Sequence, residues 1–250
     1  MNKKTLIGLA FSLAASAGHA DSIQENLKRA VPALAHYNEN VLEKDLWQRE
    51  GLTPRDRSVV SVATLVAAGK TEMLPQEFAR ALDNGVEPSE LSGIVTHLAF
   101  YAGWNNALAA ADELADVYED RDIDADDLPG ADVELLPMDE EFEAARESNV
   151  QKNYAPTSQG VADYTREPLF RDVWLRPDLT PRDRSLVTVS SLVANGQAEQ
   201  VPFHLNRALD NGLKQSEASE ALTQMAFYVN WPNVFTAMPI FQEVFDKRGN

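Results

Sequence analysis

The 250 residues carry 39 acids against 22 bases, a formal charge of −17, and no cysteine. A surface of that sign repels phosphate backbones and anionic lipid, which excludes nucleic-acid binding as a working class. Without thiols there are no disulfides, so a packed core must supply the stability, and the length suffices for one or two domains.

Lys3 and Lys4 open the chain, and Thr5 to Ala17 is an uncharged apolar run that ends at Gly18-His19-Ala20. A positive start, a short apolar stretch and small residues at the cleavage positions describe a signal peptide over residues 1–20. The run is too short for the ~20 residues a membrane-spanning helix needs. The mature chain is therefore expected to begin near Asp21, to be periplasmic or secreted, and to have no integral membrane span. Removing two lysines and no acid takes the formal charge from −17 to −19.

Internal similarity organises the rest of the chain. Leu52-Thr-Pro-Arg-Asp-Arg-Ser58 recurs as Leu179-Thr-Pro-Arg-Asp-Arg-Ser185, an offset of 127. With that offset and no gap, Trp47 falls on Trp174 and Gly69 on Gly196. Arg80–Gly85 falls on Arg207–Gly212, Phe100-Tyr101 on Phe227-Tyr228, and Trp104 on Trp231. About half of some 70 aligned positions are identical, the signature of a duplicated unit.

Each copy reads as helices. Thr53 or Thr180 caps a helix with proline at its first position, and a broad apolar stripe runs to Gly69 or Gly196. A second helix starts around Pro75 or Pro202 and closes at Asn84-Gly85 or Asn211-Gly212. Ser89 or Ser216 is placed as the cap of a third helix ending at Tyr101 or Tyr228. No segment alternates with period two, so the predicted class is all-α. The boundaries are 21–115 for the first module, 116–150 for an acidic linker that turns helical near residue 139, and 151–250 for the second module. The acidic run from Asp120 to Asp127 lacks the glycine turn and terminal acid of a calcium loop.

Phe170-Arg-Asp-Val-Trp174, Arg184-Ser-Leu-Val187, Glu199, His204-Leu205, Asn211-Gly212 and Phe227-Tyr228, in that order and spacing, resemble the carboxymuconolactone decarboxylase family. The resemblance covers about 37–115 and 164–245. It implies the helical fold of the alkylhydroperoxidase D superfamily and a homo-oligomer, a trimer or higher, of two-module chains. The peroxidases of that superfamily carry Cys-x-x-Cys four residues before a histidine. Here Gln197 and Gln200 precede His204, and Lys70 and Met73 stand in the first copy, so thiol peroxidase activity is excluded.

The remaining chemistry is decarboxylation or a related isomerisation of a small unsaturated lactone or carboxylic acid. It needs an acid–base group and donors for a developing oxyanion. His204 is the acid–base candidate, Glu199 its orienting partner, and Arg184 the carboxylate clamp. Tyr228, Asn211, Trp231 and His97 are candidate substrate contacts. The copies differ at the histidines, with Glu77 opposite His204 and Gln224 opposite His97. Either one site remains, built mainly from copy two, or His97 and His204 form a composite site. No metal-ligand spacing is present, and neither metal nor cofactor is expected. The alternative is an exported, non-catalytic binding or scaffold protein of the same fold. The family's lactone is made in the cytoplasm, so an exported relative points to the fold and reaction class more than to that lactone.

Overall fold

The computed structural model describes residues 23–249, and the expected signal peptide lies outside them. Among the described residues there is no strand. Residues 23–30 are helical, and the α-helices that follow are α1 (Pro32–Tyr37), α2 (Pro54–Ala67), α3 (Leu74–Asp83), α4 (Pro88–Tyr101), α5 (Trp104–Asp120), α6 (Glu140–Asn153), α7 (Gln159–Tyr164), α8 (Pro181–Ala194), α9 (Val201–Asp210), α10 (Gln215–Tyr228) and α11 (Trp231–Arg248). No described helix is long and apolar enough to cross a membrane.

The starts follow the sequence chemistry with one correction. The Thr53 and Thr180 hydroxyls accept from the Asp56 and Asp183 amides at 3.0 and 3.1 Å. α4 and α10, however, begin before the serines chosen as caps. Pro88 takes the first helical position, and the Glu90 carboxylate accepts from the Glu87 amide at 2.9 Å. A proline with fixed φ and no amide hydrogen suits the first turn, which moves the cap upstream of Ser89. At Gly69 (φ +64°) and Gly196 (φ +67°) the chain turns left-handed, and α2 and α8 close there. Only glycine enters that region freely.

The apolar stripe of α2 and α8 proves to be a wrapping. From Asp56 to Ala67 and from Asp183 to Ala194 every residue is buried. These helices lie against each other at the centre, and each also packs on the other copy, α2 on α10 and α8 on α4. One core cluster therefore includes both copies. Two of the cross-copy bonds come in reciprocal pairs. The Trp47 indole donates to Tyr228 Oη at 3.0 Å, and the Trp174 indole to Tyr101 Oη at 2.9 Å. Arg55 donates to Asp183 at 2.9 Å, and Arg182 to Asp56 at 2.8 Å. Residue i meeting j′ while j meets i′ is the mark of a two-fold interface, here built within one chain.

The two arginines of the repeated heptapeptide have different places: the first crosses the seam and the second is sealed inside it. Arg57 and Arg184 are 0 % and 1 % exposed. Arg184 donates to Asp178 Oδ1 and to the Arg176 carbonyl, both at 2.7 Å. Arg57 donates to the Arg49 carbonyl at 2.7 Å and to Glu220 Oε1 at 3.0 Å. The carboxylate thus comes from the preceding loop in one case and from the opposite copy in the other. Gly51 occupies the position of Asp178, and Gly93 that of Glu220. A Cβ on Gly51 would lie 2.6 Å from the Glu220 side chain, and one on Gly93 3.0 Å from that of Asp178. Each arginine has room for one acid.

The linker is tied down rather than free. Arg176 donates to the carbonyls of Gly130 and Ala131 at 2.7 and 3.0 Å. The helix expected near residue 139 is α6, capped by Asp139. Removing one member of a buried ion pair costs about 3–5 kcal/mol. Asp178→Gly is expected to lower the unfolding free energy by about that amount in denaturant titrations. Adding Gly93→Glu, which recreates the Gly51–Glu220 arrangement, should restore more than half of the loss.

Candidate functional site

The seam makes two sister clusters, each with a loop tryptophan, the first residues of the α3 or α9 helix, and a tyrosine from the opposite copy. They have diverged. Around Trp174 the cluster is filled. Phe170 lies flat on Trp174 with centroids 5.7 Å apart, and the guanidinium carbons of Arg146 and Arg207 sit over Phe170 and Trp174 at 3.7 and 4.2 Å. Glu143 of α6 holds both arginines, at 2.7 Å to Arg146 and 3.5 Å to Arg207. The linker helix thus covers this half.

His204 of copy two and His97 of copy one sit in that filled cluster, and the other candidates lie apart from it. His204 is 8 % exposed, edge-on to Tyr101, and its Nδ1 has no partner. Burial, with Arg207 nearby, pushes its pKa down to about 4, so the ring is neutral at pH 7. His97 is fully buried, and its Nε2 meets Thr188 Oγ1 at 2.7 Å. Thr188 itself donates to the Arg184 carbonyl, so Nε2 carries the imidazole hydrogen. Burial, with Arg184 next, holds His97 well below its ordinary range. Arg184 is engaged by Asp178, which places the expected carboxylate clamp in the seam. Glu199 is exposed and makes no hydrogen bond among the described residues, because it lies in the short turn before α9. Asn211 donates to Ser185 Oγ at 2.9 Å, tying the end of α9 to α8. Trp231 is 53 % exposed on an outer apolar groove with Phe235 and Met238.

Of these candidates, Tyr228 lines a large cavity among the described residues, and it belongs to the other cluster. Glu43 stands where Phe170 stands in copy two, and it pairs with Arg80 at 2.9 Å instead of stacking on the tryptophan. Beside it lies a cavity of about 640 Å³ whose lining includes Glu77, Arg80, Leu65, Lys70, Phe227 and Tyr228. Glu77 is 2 % exposed. Tyr228 Oη, which accepts from Trp47, donates to Glu77 Oε1 at 3.2 Å, and Arg80 Nε is 3.9 Å from the same oxygen. Glu77 Oε2 is buried with no partner. Burial dominates over Arg80 and Tyr228 and pushes Glu77 up to about 7. Among the described residues no cluster of His, Cys, Asp and Glu has metal-binding geometry.

Sequence reasoning missed Glu77 and Arg80, although the offset places them opposite His204 and Arg207. The signal was the substitution itself, an acid at an otherwise histidine-bearing helix position.

The sequence comparisons fit this duplicated architecture. A family model described as carboxymuconolactone decarboxylase matches residues 32–116 and again 159–243. The 4-carboxymuconolactone decarboxylase of Acinetobacter baylyi is 35% identical over 98 residues, covering 39% of this chain and 73% of that protein. Nitrosuccinic acid decarboxylase of Metarhizium robertsii is 27% identical over 95 residues, covering 38% and 66%. A solved structure from Burkholderia xenovorans LB400, provisionally described as a gamma-carboxymuconolactone decarboxylase subunit, superposes with a TM-score of 0.54 at 16% identity. It covers 90% of this chain and 91% of that one, a likeness of fold.

The raised Glu77 has a measurable consequence for stability. A carboxyl that is harder to ionise when folded binds more protons in the native state, so stability falls as pH rises from the unfolded value near 4.5 through about 7. Glu77→Gln removes that penalty. It is expected to raise the unfolding free energy by roughly 2–3 kcal/mol at pH 8 and by little at pH 4.5.

Proposed function

We propose that this chain, which belongs to the carboxymuconolactone decarboxylase family, is a carbon–carbon lyase of the decarboxylase type acting on a small carboxylic acid. The reaction is assigned to the copy-one cavity rather than to the His204 half. The observation that carries this reading is the 640 Å³ cavity lined by Glu77, a nearly fully buried acid whose Oε2 has no hydrogen-bond partner. Loss of carbon dioxide leaves an electron pair that must move onto an adjacent oxygen, so the site needs a cation for that oxygen. Arg80 lines the cavity, and its hydrogen bond to Glu43 uses one of its two terminal nitrogens. Both curated relatives bear decarboxylase names, which supports the reaction class. The neutral, enclosed histidines of the sister cluster favour a structural role for that half.

Export after cleavage near Asp21 is part of the same proposal, as is self-association. Trp231, Phe235 and Met238 on copy two, and Trp104 and Leu108 on copy one, leave exposed apolar faces on α11 and α5. Phe235→Asp is expected to lower the molar mass seen by light scattering at micromolar concentration. An unchanged mass would remove the α11 groove from the interface.

The decisive assay offers the purified chain small lactone, oxo and nitro carboxylic acids and records carbon dioxide release. Arg80→Met is expected to cut release from the accepted acid by ~10²-fold, the size of a lost oxyanion donor. His204→Gln should change it less than threefold. The opposite ranking would return the reaction to copy two.

A further inference from the structure

We infer that Glu77 exchanges a proton directly with a carbon atom of the substrate through its free Oε2, and that Tyr228, from the opposite copy, is the residue that positions it. The inference rests on the lyase reading of the same cavity but goes beyond it, because decarboxylation by itself does not say which group supplies the proton.

The geometry separates the two oxygens of one carboxyl. Oε1 is held by the Tyr228 hydroxyl at 3.2 Å, and that hydroxyl is fixed in turn by the Trp47 indole at 3.0 Å. Oε2 has no partner, is buried, and belongs to a side chain that lines the cavity. A buried polar atom without a hydrogen bond is costly, and such atoms mark places where a ligand or a proton completes the bonding. Since Oε1 already accepts a hydrogen bond, the proton of the neutral acid resides on Oε2, in a side chain that lines the cavity. The groups around Glu77 are Arg80 on its own helix, Glu43 on the turn at Asn38–Glu43, and Tyr228 on α10. Lys28, Glu39, Lys70 and Glu72 lie further out around the cavity. Arg80 is shared between Glu43 and Glu77, so its charge does not drain the acid fully.

The step balances with these groups alone. On a 3-oxo acid, the bond between the carboxylate and the carbon next to the carbonyl breaks, its electron pair forms the carbon–carbon double bond while the carbonyl π pair moves onto the carbonyl oxygen paired with Arg80, and an enolate and carbon dioxide result. The enolate carbon then takes the proton from Oε2, leaving the Glu77 carboxylate, which regains a proton from solvent. Run on an acid that keeps its carboxylate, the same machinery would remove and return a proton at carbon.

That second arm makes the test separable. The intact chain is incubated in deuterium oxide with small oxo acids, and both carbon dioxide and deuterium at the carbon next to the carbonyl are measured. Wild type should incorporate deuterium, and Glu77→Gln should lose at least ~10²-fold of that rate. Glu77→Asp should keep part of it. Tyr228→Phe should retain exchange but shift its pH midpoint upward, because a hydrogen bond to the charged form is lost. A pure packing role for Tyr228 would leave the midpoint in place. Carbon dioxide release with Glu77→Gln exchange within threefold of wild type would overturn the inference and leave the lyase reading standing. Exchange that depends on Glu77 without carbon dioxide from any acid would uphold the inference and overturn the lyase reading. Neither signal from wild type would overturn both.

Discussion

Two guanidinium groups buried at the centre of the protein constrain nearly everything around them. A charge removed from water must be matched by a carboxylate and by carbonyls at hydrogen-bond distance, or the fold loses several kcal/mol. Arg57 and Arg184 are matched in this way, and each match reaches beyond its own helix. For Arg57 the acid is Glu220 of the other copy, so copy one is incomplete unless copy two is docked. The same docking brings Tyr228 to Glu77 and Tyr101 to His204. The Glu77 cluster is therefore a by-product of satisfying the seam.

The exchange of glycine and acid gives the seam a direction. Two units like copy one would set Gly51 against Gly93 and leave the arginine bare. Two units like copy two would set Asp178 against Glu220, with like charges in space that admits one side chain. Pairing between unlike copies is the arrangement that satisfies both arginines. Such a lock permits divergence, because once partners are fixed the two clusters need not stay alike.

They have not stayed alike. Phe170 and the α6 residues Glu143 and Arg146 fill the cluster near His204 with stacked and cation–π contacts. In copy one the equivalent of Phe170 is Glu43, which turns to Arg80 and leaves space against Tyr228. The electrostatics follow the packing. Desolvation strips charge from His204 and also from Glu77, but with opposite chemical results. A neutral imidazole with a pKa near 4 is a poor proton carrier at pH 7, whereas a carboxyl near 7 is poised to give and take one.

The amino-acid sequence alone determined the helical class, the duplication and its offset, the caps at Thr53 and Thr180, and the absence of thiol chemistry. Those properties are local or periodic, and periodicity survives without coordinates. It also singled out Tyr228, but grouped it with His204 because both lie in copy two. Arg184 read as a ligand clamp because a carboxylate ligand on so acidic a protein needs a local cation, with Asp183 as the structural alternative in view. Its partner Asp178 is six residues away in sequence, and the need for it arises from burial. What only the tertiary structure decided is which copy lends which residue to which cluster. An intramolecular two-fold seam sends the tyrosine of each copy across to the opposite loop, so Tyr228 meets Glu77, 151 residues away. No spacing within either repeat encodes that crossing, because it follows from how two finished modules bury their arginines against each other.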